Sequence, residues 1–488
     1  MPTKTQSYWR RERADRAALV VDAENYFHHA REAMLNARDA IMMVGWDFDA
    51  RIKLELDDPA VQDEELGDFI YRLVKENPRL DVYLLRWRLG ALKILLRGKT
   101  ILTLIKWWLH PRIHLRLDGA TPHAASHHQK IVVIDDTFAF CGGIDMTADR
   151  WDTREHLDED PKRIRPSGRA YGPWHDATTA LSGPVAAALG DLVRLRWKRA
   201  GGGELPVPEN EEDCWPDTLA PQFRDVDVDI ARTLPEMPKW DAVLEVESMF
   251  LEQIRRAKRY IYVESQYFAA RAVAEVMAER LAEADGPEIV IINPLTAEGW
   301  LEPKAMDSAR ARLYRAIKEH DPNGRLRIYH PVTARGTPIY VHAKIMIIDD
   351  ELMRVGSANL NNRSLRLDTE CDVAIDTAVP QNSGHDDVVR ANLLSLVGEH
   401  LGVSTEIVDS ALTKEGSLLA AIESLRVPED AGQRTLVPYQ IPDLDTVDAF
   451  LADNQVLDPE GPSAMFEEFS KRQLLRGFVK KVRRKPSY

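Results

Sequence analysis

Histidine and lysine recur two residues apart at two places in this chain, each time inside a longer shared pattern. His128, Lys130, Asp135, Gly142 and Gly143 fit H-x-K-x4-D-x6-G-G. His342, Lys344, Asp349, Gly356 and Ser357 fit the same pattern with Ser last. A single HxK arises often by chance, but the five-position pattern twice in one chain does not. Two histidines and two lysines suit phosphoryl transfer. Lysines neutralise phosphate oxygens as charge shifts. One histidine attacks phosphorus to give a phosphohistidine. The other protonates the leaving alcohol and then deprotonates the incoming water or alcohol. Lysines carry the electrostatic load, so the expectation is a reaction without metal or cofactor. Asp145 and Asn359 stand at corresponding places after the motifs and are expected, with Gly143 and Ser357, to orient the phosphate.

The stretches that must position these residues are strands. A period of two puts His128 with Lys130, and His342 with Lys344, on one face. Asp135 and Asp349 have the opposite parity and should face away or lie beyond the strand end, yet as members of the pattern they are counted among the expected catalytic residues. Continuous apolar runs, IVVI and IMII, read as strands buried on both faces. The motifs belong to a larger repeat. ARDAIMMVGWDF (37–48) matches AKRYIYVESQYF (257–268), each after a helix-like segment. LDVYLLRW (80–87) matches PEIVIINP (287–294), and RIHLRLD (112–118) matches RLRIYHP (325–331). Offsets stay within 207–220 residues, so two α/β units form the body. The expected division is a first half at 1–200, a Pro/Gly/acidic surface linker at 201–238 and a second half at 239–400. A mostly helical extension follows at 401–488, ending in a basic tail.

Other candidate sites are weaker. His123, His127 and His128 lack the further ligands of a zinc site. The GGG at 201–203 lacks the Lys-Ser/Thr and the strand-to-helix setting of a phosphate loop. Asp47 and Asp49, at the end of the first strand, read equally as functional or as strand-end solvation.

Charge narrows the partners. The 488 residues carry a net charge of −14. Val82–Leu117 and Lys471–Tyr488 each hold eight Lys/Arg and no acid, so the rest of the chain carries −30. An acidic body is a poor binder of nucleic acid, and none is expected. Both basic segments interleave apolar residues: Trp87, Trp107 and Trp108 in the first, Leu474, Leu475, Phe478, Val479 and Val482 in the second. About 86–116 and 471–485 are therefore expected to meet an anionic phospholipid surface. No apolar run reaches the length of a membrane span, and the N-terminus lacks the apolar core of a Sec signal peptide. The expectation is a cytoplasmic protein, peripheral at the membrane.

The duplicated motif resembles that of the phospholipase D superfamily. GGIDMTADRWDTREH, YGPWHDATTALSGPVA, IYVESQYF and GSANLNNRSLRLDTE look like segments of members that act on phosphatidyl lipids. The resemblance spans about residues 24–400 and is closer to these than to single-motif nucleases. It implies two tandem α/β sandwich halves with mixed sheets, packed about a pseudo-twofold axis with one site at their interface. A monomer could then be complete. It implies His128 as nucleophile, His342 as acid/base, and Asp176 and Glu370 as the carboxylates that set their tautomers. The implied activity is hydrolysis of the distal phosphodiester of a glycerophospholipid to phosphatidate and an alcohol. A transphosphatidylase of the cardiolipin synthase kind is the alternative, since it shares every catalytic residue. A nuclease of the same superfamily and a non-catalytic membrane scaffold rank lower.

Overall fold

The computed structural model describes residues 6–88, 100–122, 125–297 and 302–441. The first half runs β1 (Arg10–Val21), α1 (Ala23–Asn36), β2 (Ala40–Gly45), α2 (Leu66–Glu76), β3 (Asp81–Trp87), α3 (Thr100–Trp108) and β4 (Ile113–Asp118). It continues with β5 (Ile131–Ile134), β6 (Phe138–Gly142), β7 (Trp174–His175), β8 (Ala177–Ser182) and α4 (Pro184–Arg199). The second half repeats the order: β9 (Phe223–Leu234), β10 (Val243–Leu244), α5 (Glu245–Arg256), β11 (Tyr260–Glu264), α6 (Arg271–Ala282), β12 (Glu288–Ile292), α7 (Glu302–Lys318) and β13 (Leu326–Val332). Then come β14 (Tyr340–Val341), β15 (Ile345–Ile348), β16 (Leu352–Gly356), α8 (Asn362–Arg366), β17 (Glu370–Asp376) and α9 (Asp386–Leu401). The chain closes with α10 (Thr405–Glu415), α11 (Leu418–Leu425) and β18 (Thr435–Pro438).

The fold is mixed α/β, and its two halves share one continuous sheet. The strand order is β18-β13-β12-β11-β15-β16-β17-β9-β1-β8-β6-β5-β2-β3-β4. Apart from β18, each strand has its counterpart at the same distance from the centre, where β1 and β9 pair antiparallel from Arg10↔Ile230 to Ala17↔Phe223. In each half two parallel crossovers, β2-β3-β4 and β11-β12-β13, lie outermost and antiparallel strands lie inside. β5 and β15 are buried at every residue, which is why they read as unbroken apolar runs.

The core has three main parts. One packs α1 to α3 on the first half, and one packs α5 to α7 on the second. The third lies on the opposite face and crosses the centre, joining α4 residues such as Leu189 and Leu192 to α9 residues such as Leu393 and Leu396.

Two sequence readings change. The segment 201–238 is not all surface linker, because β9 occupies 223–234 and forms the centre of the sheet. Its charges alternate (FRDVDVDI), and the acid-rich surroundings masked the pattern of a half-buried strand. Its counterpart β1 lies 213 residues earlier, so the repeat begins at Arg10. The extension after 400 is also more integrated than expected. α10 and α11 join the central core, and β18 adds an antiparallel edge to β13. The basic segment 471–485 and Pro442 lie outside the described residues. Among the described residues, no helix is long and apolar enough to cross a membrane.

Candidate active site

Both motif histidines stand just before a central strand, and the facing half holds each one. The backbone of 126–128 pairs with that of 369: Thr369 N–H donates to Ser126 O (3.1 Å) and His128 N–H to Thr369 O (3.1 Å). In the counterpart, β14 pairs with β7, and His342 N–H donates to His175 O at 2.8 Å. These pairings bring each histidine to a carboxylate of the opposite half. His128 Nδ1 lies 3.0 Å from both oxygens of Glu370. His342 Nδ1 lies 2.6 Å from Asp176 Oδ2. A carboxylate at Nδ1 places the proton there and leaves Nε2 free for chemistry. The site is therefore one site, and each half holds only part of each pair.

The lysines are held alike and paired differently. Lys130 Nζ donates to His128 O at 2.9 Å, and Lys344 Nζ donates to His342 O. Lys130 also forms a buried ion pair with Asp145 at 3.2 Å. Asn359 occupies the corresponding place beside the second motif, so Lys344 gains no such carboxylate. Burial, opposed by Asp176 and aided by Lys130, brings the Lys344 ammonium down to about 7. Burial and the two lysines hold His128 neutral, well below its ordinary value. Burial and Lys344 do the same to His342, against the pull of Asp176. Burial pushes Asp176 up, but His342, Lys344 and the Ala177 N–H outweigh it and keep the carboxyl near about 2. Burial lifts Glu370 to about 7, against Ser357 and Lys130. The result is a buried pocket in which two lysines face three carboxylates around two neutral imidazoles, and the lysines are the groups that can meet a phosphodiester anion.

The glycines and serine of the motif act on the carboxylates. A Cβ at Gly143 would stand 2.3 Å from Asp176 Oδ1, so only glycine leaves the carboxylate its place. At the corresponding position, Ser357 Oγ donates to Glu370 Oε2 at 2.5 Å. These two residues were expected to contact the phosphate, and instead they set the carboxylates behind the histidines. Asp145 is likewise engaged by Lys130 and by the Trp46 N–H (2.9 Å).

Asp135 and Asp349, expected among the catalytic residues, do other work. Each follows its four-residue strand, so about 13 Å of extended chain separates it from its lysine's end. Each sits at positive φ, 50° and 55°, in the turn to the next strand. Asp135 accepts the N–H groups of Arg38, Asp39 and Ala40 at 2.6, 2.9 and 2.7 Å. Asp349 accepts those of Lys258, Arg259 and Tyr260 at 2.5, 2.7 and 2.8 Å. Both lie beyond the strand end and tie a helix–strand junction to the motif strand.

Asp47 pairs with Arg86 and accepts from Thr147 Oγ1 (2.9 Å), and Asp49 pairs with Arg51 (2.7 Å). His127 is buried against Asp118 at 2.6 Å, beside Arg196. These are structural contacts, and His123 lies outside the described residues. Sequence reasoning missed the wall around His342. Trp174 stacks on Tyr340 at 4.6 Å and lies 5.3 Å from the His342 ring. Arg150 covers Trp174 at 4.2 Å and adds positive charge near His342 and Lys344. Gln266 donates to Tyr340 Oη at 2.7 Å. The segments RWDT, PWHD, ESQYF and YVHAK held these residues, but nothing in their spacing shows that they meet.

Comparison with known proteins agrees with this geometry. Residues 113–276 match the family model described as "Phospholipase D", and 250–384 match that described as "Cardiolipin synthase, PLD-like domain". The chain is 25% identical over 403 residues to phospholipase D alpha 1 of Arabidopsis thaliana, covering 58% of this chain and 49% of that protein. It is 26% identical over 404 residues to phospholipase D alpha 2 of Brassica oleracea var. capitata, with the same coverage of 58% and 49%. The chain thus spans about half the length of these curated relatives. In fold it is similar to the phosphatidylserine synthase of Haemophilus influenzae Rd KW20, with a TM-score of 0.52 and 16% identity, covering 77% of this chain and 86% of that one. With both motifs in corresponding places of a duplicated α/β fold, this chain belongs to the phospholipase D superfamily.

Proposed function

We propose that this chain is a phospholipase D that hydrolyses the distal phosphodiester of a glycerophospholipid to phosphatidate and a free alcohol. The observation that carries this reading is the crossed pairing, His128 with Glu370 and His342 with Asp176, around two buried lysines. His128 Nε2 attacks phosphorus while its Nδ1–H stays on Glu370. The bond from phosphorus to the head-group oxygen breaks, and His342 gives that oxygen its proton. His342 then takes a proton from water, the water oxygen attacks phosphorus, and the phosphorus–nitrogen bond to His128 breaks. Lys130, Lys344 and Arg150 neutralise the phosphate through both steps. The substrate's negative charge offsets the lysines and raises His342, so the acid is charged when the ester is bound.

The proposed partner is an anionic phospholipid surface. Trp107 is buried, its indole N–H on Gly67 O at 3.1 Å, but Trp108 and Leu109 beside it are 81% and 69% exposed. Exposed large apolar groups next to basic residues suit the lipid interface. The reading includes a peripheral position on the cytoplasmic side.

The test is product analysis on mixed phospholipid vesicles. Phosphatidate and free head group are expected. His128→Ala and His342→Ala should each lower turnover by about a thousandfold or more, with thermal unfolding unchanged. Full activity in both variants would remove the site assignment. An exchanged lipid in place of phosphatidate would make the protein a transphosphatidylase.

A further inference from the structure

Beneath the His342–Asp176 pair lies a second group of buried ionisable side chains that phosphoryl transfer does not use. Asp22, His156, His175 and Glu399 are 0%, 1%, 0% and 6% exposed. Asp22 follows β1, His175 ends β7 and His156 comes from the loop between β6 and β7, all in the first half. Glu399 comes from α9, in the second half.

One donor atom from each residue converges on a common point. His175 Nδ1 lies 2.7 Å from Glu399 Oε1 and 3.3 Å from Asp22 Oδ1. His156 Nε2 lies 3.1 Å from Glu399 Oε1 and 3.6 Å from Asp22 Oδ2. All four residues offer an atom within 4.8 Å of the others. Ligands at about 2.0–2.2 Å around a tetrahedral ion stand about 3.3–3.5 Å apart, within this spread. Asp22 Oδ2 is buried and has no hydrogen-bond partner.

The remaining atoms of the four residues are already engaged, which aims one atom of each inward. His156 Nδ1 meets Asp152 Oδ2 at 2.9 Å, and His175 Nε2 meets Glu264 Oε2 at 2.7 Å. A carboxylate on the far nitrogen of each imidazole is the usual support of a metal-binding histidine. Arg154 holds Glu399 Oε2 at 2.5 Å, and the Asp176 N–H holds Asp22 Oδ1 at 3.1 Å. Charge points the same way. Four buried carboxylates (Asp22, Asp152, Glu264 and Glu399) face three guanidinium groups: Arg154, on Glu399, Arg163, on Asp152, and Arg434, beside Glu399 and Asp22. Positive charge is still lacking, and either a cation supplies it or protons on His156 and His175 do.

We propose that Asp22, His156, His175 and Glu399 bind one divalent transition-metal ion, zinc by the chemistry of its nitrogen and oxygen donors, and that this ion pins α9 to the first half under the reaction centre. Four protein ligands close the shell, so the ion is structural. The backbone couples it to catalysis, because His175 is followed by Asp176 and accepts the His342 N–H. The proposal does not depend on the lipid substrate.

The full-length protein tests it by elemental analysis and thermal unfolding, before and after stripping with a strong chelator and again after zinc is restored. About one zinc per chain is expected, with a loss of several degrees in Tm on stripping that zinc reverses. Glu399→Gln keeps the shape and should lower zinc affinity at least a hundredfold. Asp152→Asn, which touches only the far side of His156, should lower it ten- to a hundredfold and remain folded if Glu399→Gln does not. His28, His29 and Glu32 form another candidate group on α1. Zinc that survives Glu399→Gln but leaves with His28→Ala/His29→Ala would overturn the proposal. So would a folded wild-type protein that takes up neither zinc nor cobalt at micromolar concentration, because protons on His156 and His175 then balance the cluster.

Discussion

Glu370 and Lys344 set the working pH at the scale of single residues. His128 needs an ionised Glu370 to hold its tautomer, and the phosphate needs a charged Lys344. Burial lifts Glu370 to about 7 and lowers Lys344 to about 7. Below that pH the carboxylate is lost, and above it the ammonium is lost. The profile of kcat/KM should therefore be a narrow bell centred near 7. Ser357 Oγ–H stabilises the charged form of Glu370. Ser357→Ala should move the acid limb to higher pH and leave the basic limb in place. Asn359→Asp should do the opposite, because it gives Lys344 the kind of partner that Asp145 gives Lys130. The basic limb should then move up by about a unit or more, as expected for a new opposite charge within about 4–6 Å. Unmoved limbs in both variants would detach these residues from the bell.

The motif aspartates matter at the scale of elements. Asp135 and Asp349 each satisfy three backbone N–H groups where a helix turns into a strand, and each holds a left-handed turn conformation that aspartate tolerates better than most residues. Asp135→Ala should cost about 3 kcal/mol or more, from buried donors left without acceptors at ~1–3 kcal/mol each. Asp349→Ala should cost about as much. Turnover per folded molecule should change little in either, as measured by activity normalised to the folded fraction in denaturant titration. A loss of turnover by a thousandfold in a fully folded Asp135→Ala protein would return this residue to the catalytic set.

The two halves act as one body at the scale of the whole molecule. β1 and β9 join their sheets, a shared core joins α4 to α9, and each histidine depends on the other half's carboxylate. On the proposed reading, the exposed Trp108 and Leu109 at the end of α3 meet the lipid surface. Trp108→Ala/Leu109→Ala should weaken binding to anionic vesicles by about ten- to a hundredfold, given ~1.5–3 kcal/mol for each large apolar side chain buried. Turnover of a short-chain, water-soluble phosphodiester should be unchanged. Equal losses on both substrates, read by vesicle sedimentation and by activity, would assign Trp108 and Leu109 to folding instead.

The sequence by itself determined the repeat, singled out His128, Lys130, His342 and Lys344, and suggested the chemistry proposed for them. Periodicity and duplication are local properties that survive in a string of letters. Parity set Asp135 and Asp349 away from their histidines, yet the pattern still counted them as catalytic, and only the structure shows the backbone groups they hold. Only the tertiary structure decided which carboxylate meets which histidine, because Asp176–His342 and Glu370–His128 are separated by 166 and 242 residues and cross between halves. It also decided that β9 is central, since pairing with β1 buries one face of a strand whose charges read as linker. The cluster of Asp22, His156, His175 and Glu399 stayed hidden for the same reason: four positions scattered along the chain have no spacing to read, and only packing the halves together brings their donor atoms to one point.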